Sequence, residues 1–336
     1  MRAGFACRIF LFLFSGIISG CAALKPSADL RHFESNRVDR LNDTIIPPGK
    51  VCVTFFGTST LLFDDGESQL LIDGFFTRPS VLKTGFGKIK SNKKLISSLL
   101  EQQHINRLKA VLVCHSHYDH LMDAPLICQM TGATLHGSSS TLKAGQGEGL
   151  ADSSMCLFQP GRAISIGRFT VTAIASKHTP PFRVMGKTNA TNPLHPDIDA
   201  PLKQPAKADA YIEGGTYDFY IQHGSHALLV KASTNYLDSA LNPYRTEIIF
   251  LGVAMLGVQT DTFQNQFYTQ TIAATGAQTV VPIHWDNFMK PLRQPLQALP
   301  RLVDNLEKGL GYLKQKTEAQ GVRLKIMQSF DRYVLF

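Results

Sequence analysis

The stretch Leu108-Lys109-Ala110-Val111-Leu112-Val113-Cys114-His115-Ser116-His117-Tyr118-Asp119-His120 places three histidines and an aspartate directly after an apolar run. Short apolar runs rich in aliphatic and β-branched residues are typical of buried strands. Alternate residues of a strand point the same way, so His115 and His117 are expected to leave its end on one side. Asp119 and His120 then begin the next helix. By chance this pattern is expected in fewer than roughly one such chain in a thousand, which favours a site over a solvated histidine cluster.

The residue types in this stretch indicate metal coordination. Neutral imidazole and carboxylate are the ligands that ions such as Zn²⁺ accept at about 2.0 to 2.2 Å, and a catalytic site leaves one position to water. A bound metal lowers the pKa of its water towards about 7. The pair of ligands from the strand end and the pair from the helix start could face two metals.

Three more segments extend the pattern over most of the chain. Asp73 ends the strand-like Gln69-Leu70-Leu71-Ile72, His178 follows the strand-like Phe169 to Ala175, and His284 follows Val280-Val281-Pro282-Ile283. With the histidine-rich stretch, these segments resemble the motifs of the metallo-β-lactamase superfamily. The segment around His284 is most similar to the branch containing ascorbate-phosphate lactonases and N-acyl phosphatidylethanolamine phospholipase D enzymes.

The resemblance implies an α/β fold, the four-layer αββα sandwich, with the ligands at strand ends along one edge. It implies Zn²⁺ as cofactor, one or two ions, with Mn²⁺ or Fe²⁺ as alternatives. Asp119 is implied to orient the nucleophile as well as to bind metal. The implied ligands form two sets: His115, His117 and His178 at a first site, and Asp119, His120 and His284 at a second.

One motif departs from the family. Where the family places a metal-bridging Asp, this chain has Ser233, and a serine hydroxyl is a poor ligand. The second site is therefore predicted to bind metal more weakly than the first. Asp238, Asp261 and Asp286 are the alternative sources of a bridge, and Asp286 is also a candidate to orient a ligand imidazole.

The first residues carry a targeting pattern. Arg2 and Arg8 flank the start of the apolar run Ile9 to Phe14, and Ile17-Ile18-Ser19-Gly20-Cys21 supplies small residues for cleavage. The pattern resembles a bacterial lipoprotein signal, with residues 1–20 removed, Cys21 lipidated and residues 21–48 as a tether. The apolar run is too short to span a bilayer comfortably, which disfavours an uncleaved anchor. Ala22 favours the outer membrane over the inner one, facing the periplasm.

The charge and cysteine content of the chain bear on which classes of partner it can bind and on its redox environment. The formal net charge of +8 is compatible with an anionic substrate or lipid surface, and equally with ordinary solubility charge. No block of like charges suggests nucleic acid. Cys128 and Cys156 could form a disulfide in an oxidising compartment, although their spacing leaves this open.

Residues 49–336 are predicted to form one hydrolase domain, with strands alternating with helices. The proline-rich stretch 179–215 interrupts this order as a loop insertion, which we interpret as a pocket wall, with an exposed insertion as the alternative. A second candidate wall runs from Phe75 and Phe76 to Phe86, Lys88 and Lys90. Aromatic core residues beside solvated lysines are the equally open alternative there.

Two functions follow. The first is a metal-dependent hydrolase that uses metal-activated water on a phosphodiester or a lactone-like ester, with a small-molecule or phospholipid-like substrate. The alternative is a lipid-anchored binding or envelope-maintenance protein that keeps a metal without turnover. Ser233 is the main support for the alternative.

Overall fold

The structure is a computed structural model that describes residues 23–42, 46–180, 182–184, 187–189, 197–293 and 295–336. The predicted signal and Cys21 lie outside the described residues. Within them, no helix is both long enough and apolar enough to cross a bilayer.

Two seven-stranded sheets make up the centre of the molecule. In spatial order, the first sheet contains β16 (Arg332–Val334), β1 (Cys52–Phe55), β2 (Leu61–Asp64), β3 (Gln69–Ile72), β4 (Leu108–Leu112), β5 (Thr134–Gly137) and β6 (Met155–Leu157). The second contains β15 (Arg323–Leu324), β14 (Thr279–Ile283), β13 (Ile248–Gly252), β12 (His226–Lys231), β11 (Thr216–His223), β8 (Phe169–Ser176) and β7 (Ala163–Ile166). The strands β9 (Phe182–Val184) and β10 (Lys187–Asn189) pair as a separate hairpin.

Seven α-helices of the described residues alternate with the strands along the chain. They are α1 (Val81–Phe86), α2 (Lys93–Gln102), α3 (Tyr118–Leu121), α4 (Ala124–Thr131), α5 (Ser139–Gly147), α6 (Asp261–Tyr268) and α7 (Leu306–Ala319). A π-helical turn at Thr269–Ala273 extends α6. The helix α4 contacts β4 and β5 of the first sheet, and α7 contacts β15 of the second. This is the predicted αββα sandwich.

The two sheets meet through apolar side chains. Phe63 on β2 and Phe250 on β13 form a T-shaped pair with ring centroids 5.5 Å apart. Every residue of β13 and β14 is buried, as expected for parallel strands covered on both faces. Phe75 and Phe76 are also fully buried, so these two rings belong to the core and do not line a pocket.

Asn92 sets the start of α2. The helix begins at Lys93, because the Asn92 side chain accepts the hydrogen bond from the Leu95 backbone N–H. Ser91 donates to the Met122 carbonyl. Cys128 and Cys156 are free thiols, the former buried in α4, so the disulfide left open by their spacing is absent from the structure.

The described part of the stretch 179–215 contains regular structure. Besides the β9–β10 hairpin it contains a 3-10 turn at Ala208–Ala210. Asp197 accepts hydrogen bonds from Ser139 and Ser140 at the start of α5. The described part of the stretch therefore packs on the first sheet's helices.

Candidate metal centre

The histidine-rich stretch lies at the end of β4, as predicted. The backbone N–H of Ser116, between His115 and His117, donates to the Glu213 carbonyl at 2.8 Å. The helix α3 then begins at Tyr118, so Asp119 and His120 lie in its first turn. Strand ends deliver the other two histidines, His178 after β8 and His284 after β14.

The six candidate ligands fall into two clusters among the described residues. In each cluster the possible ligand atoms all lie within 4.8 Å of one another. We call His115, His117 and His178 the three-histidine cluster, and Asp119, His120 and His284 the mixed cluster. The rings of His115 and His120 have centroids 3.9 Å apart, so the clusters adjoin.

The mixed cluster converges on a small volume. The Nε2 atoms of His120 and His284 are 3.2 Å apart. Asp119 Oδ2 is 3.6 Å from the first of these nitrogens and 3.4 Å from the second. Two acceptor nitrogens and a carboxylate oxygen facing one point are suited to hold a cation.

Asp73 orients His120 within this cluster. Its Oδ2 accepts from His120 Nδ1 at 2.7 Å and from the Ser59 hydroxyl, while its Oδ1 accepts from the Cys114 backbone N–H at 2.7 Å. Because Nδ1 carries the proton, the Nε2 lone pair of His120 points into the cluster. Asp73 also has a positive φ of 59°, a conformation that its hydrogen bonds help to hold.

Electrostatics favour the ligand forms of the three-histidine cluster and of Asp119. Burial lowers the pKa of His115 well below its usual value, the pKa of His117 to about 3 and the pKa of His178 to about 4. Burial alone would raise the pKa of Asp119, but His120 and His284 outweigh it and hold that pKa below its ordinary range. Neutral imidazoles and an ionised carboxylate are the forms that bind metal.

The three-histidine cluster contains unsatisfied nitrogens. Both ring nitrogens of His115 and Nδ1 of His178 are buried without a hydrogen-bond partner among the described residues. A buried polar atom without a partner destabilises the folded protein, so a bound ligand that pairs with these nitrogens would be stabilising. A divalent ion fits this donor set, and it fits the mixed cluster as well.

Asp286 has a different position from the one predicted. Its carboxylate accepts from Arg78 Nη1 at 2.7 Å and from the Thr58 backbone N–H at 2.6 Å, with both charged side chains buried. The Thr58 carbonyl in turn accepts from the His284 backbone N–H. Asp286 therefore fixes the backbone around His284 and does not orient a ligand imidazole.

Ser233 lies beside the three-histidine cluster. It is buried directly after β12, and its neighbour Asn235 donates from Nδ2 to the His178 carbonyl at 2.6 Å. The other predicted sources of a bridging carboxylate are not among the described clusters. Asp238 is exposed, and Asp261 pairs with Lys308 at 3.0 Å.

Sequence reasoning missed two groups near the ligands. Ser59, between β1 and β2, contacts both Asp73 and His120. Glu213 is buried, and its charge acts against the lowering of the His178 pKa by burial. Neither residue lies in a motif, and only the folded arrangement reveals them.

A buried ion pair lies behind the centre. Lys231 Nζ on β12 is 2.8 Å from Asp218 Oδ2 on β11 and 2.9 Å from the Ser176 hydroxyl. Both charged side chains are almost completely buried. Breaking such a pair strands a charge in the interior, so the pair holds these strand ends in register.

The sequence profile of the metallo-beta-lactamase superfamily matches residues 53–230, more than half of the chain. The chain belongs to that superfamily. The matched residues include Asp73, the histidine-rich stretch and His178, while His284 lies beyond them. The family assignment and the geometry thus point to the same edge of the sandwich.

The chain is similar in sequence to a curated protein that is named as a hydrolase. The "UPF0173 metal-dependent hydrolase" of Heliobacterium modesticaldum is 32% identical over 121 residues, which is 36% of this chain and 43% of that protein. The chain thus matches less than half the length of this relative.

Solved structures support the fold. Igni18, a metallo hydrolase from Ignicoccus hospitalis, aligns with a TM-score of 0.53 and 17% identity over 85% of this chain and 99% of its own. CmlA, a diiron β-hydroxylase from Streptomyces venezuelae, aligns with a TM-score of 0.50 and 14% identity over 87% of this chain and 55% of its own. One neighbour is a hydrolase and the other a hydroxylase, so the fold does not decide the reaction.

Proposed function

We propose that this protein is a metal-dependent hydrolase acting on a phosphodiester or a lactone-like ester. The observation that carries the proposal is the meeting of two ligand clusters at His115 and His120, one of them with the ionised Asp119. The hydrolase name of the curated relative supports the same reaction class.

The six clustered side chains are the proposed ligands, and Zn²⁺ is the proposed ion, with Mn²⁺ or Fe²⁺ as alternatives. A divalent ion bound there would polarise the substrate and make water a stronger nucleophile. Asp119 contributes a carboxylate that can accept a hydrogen bond from the attacking water and so orient it. Asp73 keeps the Nδ1 proton of His120 in place.

The substrate class rests on two supports. The segment around His284 resembles the branch with ascorbate-phosphate lactonases and N-acyl phosphatidylethanolamine phospholipase D enzymes. Residues 74–100 also contain five exposed lysines and no Asp or Glu, which favours an anionic substrate approaching from that side. The stretch 179–215 remains the proposed second wall, because the Glu213 carbonyl binds the backbone between His115 and His117.

The test is turnover of the purified full chain after chelation and reloading with Zn²⁺, Mn²⁺ or Fe²⁺. The substrates are bis(p-nitrophenyl) phosphate, a p-nitrophenyl ester and a small lactone. We expect hydrolysis of at least one substrate that is lost on chelation and restored by metal. A fully metal-loaded protein that turns over none of them would contradict the proposal.

That contradicting result would favour the alternative of a lipid-anchored binding or envelope-maintenance protein. Ser233 is the observation on its side, since it leaves the clusters without the carboxylate expected between them. The two functions therefore separate in a single experiment, because both predict bound metal and only one predicts turnover.

We also propose that the protein is lipidated at Cys21 and anchored in the outer membrane, with its domain in the periplasm. The support is the order of cationic, apolar and small residues before Cys21. Cys21→Ser is expected to leave an unprocessed precursor that no longer incorporates a fatty-acid probe. Unchanged labelling would refute the anchor.

A further inference from the structure

The short helix α1 exposes two large apolar side chains. Leu82 is 72% exposed and Phe86 is 62% exposed, and their spacing of four residues places them on one face. Large exposed apolar side chains are rare in the described residues, where the full set is Leu24, Leu82, Phe86, Leu157 and Val258. Two of them thus share one helix of six residues.

Lysines surround this apolar pair. Five exposed lysines lie near it in the sequence, and none of them forms an ion pair with another described residue. They are Lys83, Lys88, Lys90, Lys93 and Lys94. Between Asp73 and Glu101 the chain contains no acidic residue. We call Leu82, Phe86 and these five lysines the α1 patch.

The α1 patch lies beside the candidate metal centre. Thr84 of α1 is close enough to the phenol of Tyr118 to influence its pKa, and Tyr118 lies between the ligands His117 and Asp119. The Tyr118 ring also contacts Phe75 and Phe288, with centroids 6.0 and 6.3 Å away. The opposite edge of the sandwich carries the β11–β12 turn at Gly224 and Ser225.

We propose that the α1 patch is a membrane-docking surface for anionic lipid. Leu82 and Phe86 enter the boundary between headgroups and acyl chains, while the lysines contact lipid phosphates. This combination of apolar side chains on a short helix and flanking cations is the physical requirement for interfacial binding. Docking in this orientation turns the metal centre towards the membrane.

Charge argues against two other occupants. A second copy meeting the same patch would bring five lysines against five, a like-charge contact that opposes association. A nucleic acid would pair with the lysines but leave Leu82 and Phe86 unburied. Anionic lipid satisfies both parts of the α1 patch.

The experiment uses the full chain with Phe86→Trp. The only native tryptophan, Trp285, is fully buried and supplies a constant background. Vesicles contain phosphatidylethanolamine with phosphatidylglycerol, or phosphatidylcholine alone, each with acyl chains brominated near the headgroup. The matched control is Ser225→Trp, an exposed site on the opposite edge.

We expect anionic vesicles to blue-shift and quench the emission of Phe86→Trp and to leave Ser225→Trp unchanged, even where a lipid anchor holds both on the vesicle. Phosphatidylcholine vesicles are expected to give a smaller effect. Adding Lys88→Gln, Lys90→Gln, Lys93→Gln and Lys94→Gln to Phe86→Trp should reduce the quenching at least severalfold.

Equal emission from Phe86→Trp and Ser225→Trp on anionic vesicles would overturn the proposal. A blue shift of Phe86→Trp that grows with protein concentration before vesicles are added would overturn it in favour of self-association. The readout does not depend on hydrolysis, so failure of the proposed activity leaves this result unaffected.

Discussion

The two ligand clusters differ in how the protein holds them. The mixed cluster contains a carboxylate, and Asp73 and Ser59 fix its His120 through hydrogen bonds. The three-histidine cluster contains only imidazoles, and His115 has no hydrogen-bond partner for either ring nitrogen among the described residues. One half of the centre is thus preorganised by the protein, whereas the other is a set of neutral donors that a metal would satisfy.

This difference separates two sources of metal affinity. Three neutral imidazoles supply strong ligands with no charge of their own, and binding removes the cost of their buried lone pairs. In the mixed cluster, burial alone would lower the pKa of His120, but Asp73 and Asp119 outweigh it and raise that pKa, so a proton competes with the metal for that ligand. Ser233 adds no charge where the family has a bridging carboxylate. We therefore expect the three-histidine cluster to bind first and the mixed cluster to bind more weakly, although its geometry is better held.

The largest effect is expected from His117→Ala. This variant removes one of three donors of the three-histidine cluster, so metal affinity there should fall at least about a hundredfold and turnover should be lost. Metal analysis after gel filtration and the hydrolysis assay measure both. His32→Ala is the control, since His32 is exposed and pairs only with Glu307, and equal losses in both variants would place the site elsewhere.

A smaller effect is expected from Asp73→Asn. The amide keeps an acceptor for the Cys114 N–H but no longer stabilises the Nδ1 proton of His120 as a carboxylate does. Affinity of the mixed cluster should fall about ten- to hundredfold, with the three-histidine cluster unchanged. Calorimetric titration resolves the two binding steps. A loss of metal affinity confined to the three-histidine cluster would contradict the role of Asp73 in the mixed cluster.

The buried His136, outside the ligand clusters, is expected to make the stability of the fold sensitive to acid. Burial lowers the pKa of His136 on β5 from its ordinary value of about 6.5 to about 4. Above pH 6.5 the folded and unfolded states are both neutral, and as pH falls towards 4 the unfolded state gains the proton first, so stability is lost. At pH 5 this loss is about 2 kcal/mol.

His136→Gln should therefore unfold with a weaker pH dependence than the wild type between pH 7 and 5. Urea unfolding of the metal-free proteins at each pH measures the free energy of unfolding. Parallel pH dependences in the two proteins would show that His136 contributes nothing to acid sensitivity.

The ligands could be predicted from the sequence because each follows a strand in a short, recognisable segment. His115, His117, Asp119 and His120 are nearly contiguous, so a local pattern suffices to find them. The individual strands and helices were predictable for the same reason, since their periodicities are local. The sandwich arrangement itself came from the resemblance to the family.

The contacts that support the ligands could not be found this way, although Asp73 itself lies in a recognisable segment. His120 and Asp73 are 47 residues apart, and Arg78 reaches Asp286 across 208 residues. Asp286 was a candidate to orient a ligand imidazole, but the buried guanidinium of Arg78 binds its carboxylate instead. Long-range charge pairing overrode local proximity.

The most direct test of the account is the metal content of the purified wild-type chain and of Ser233→Asp, with Ser225→Asp as a surface control. We predict close to one tightly bound ion in the wild type, with a second binding only at raised metal concentration, and a higher second-site occupancy in Ser233→Asp alone. Two tightly bound ions in the wild type would contradict the account, because another group would then already supply the charge that Ser233 lacks.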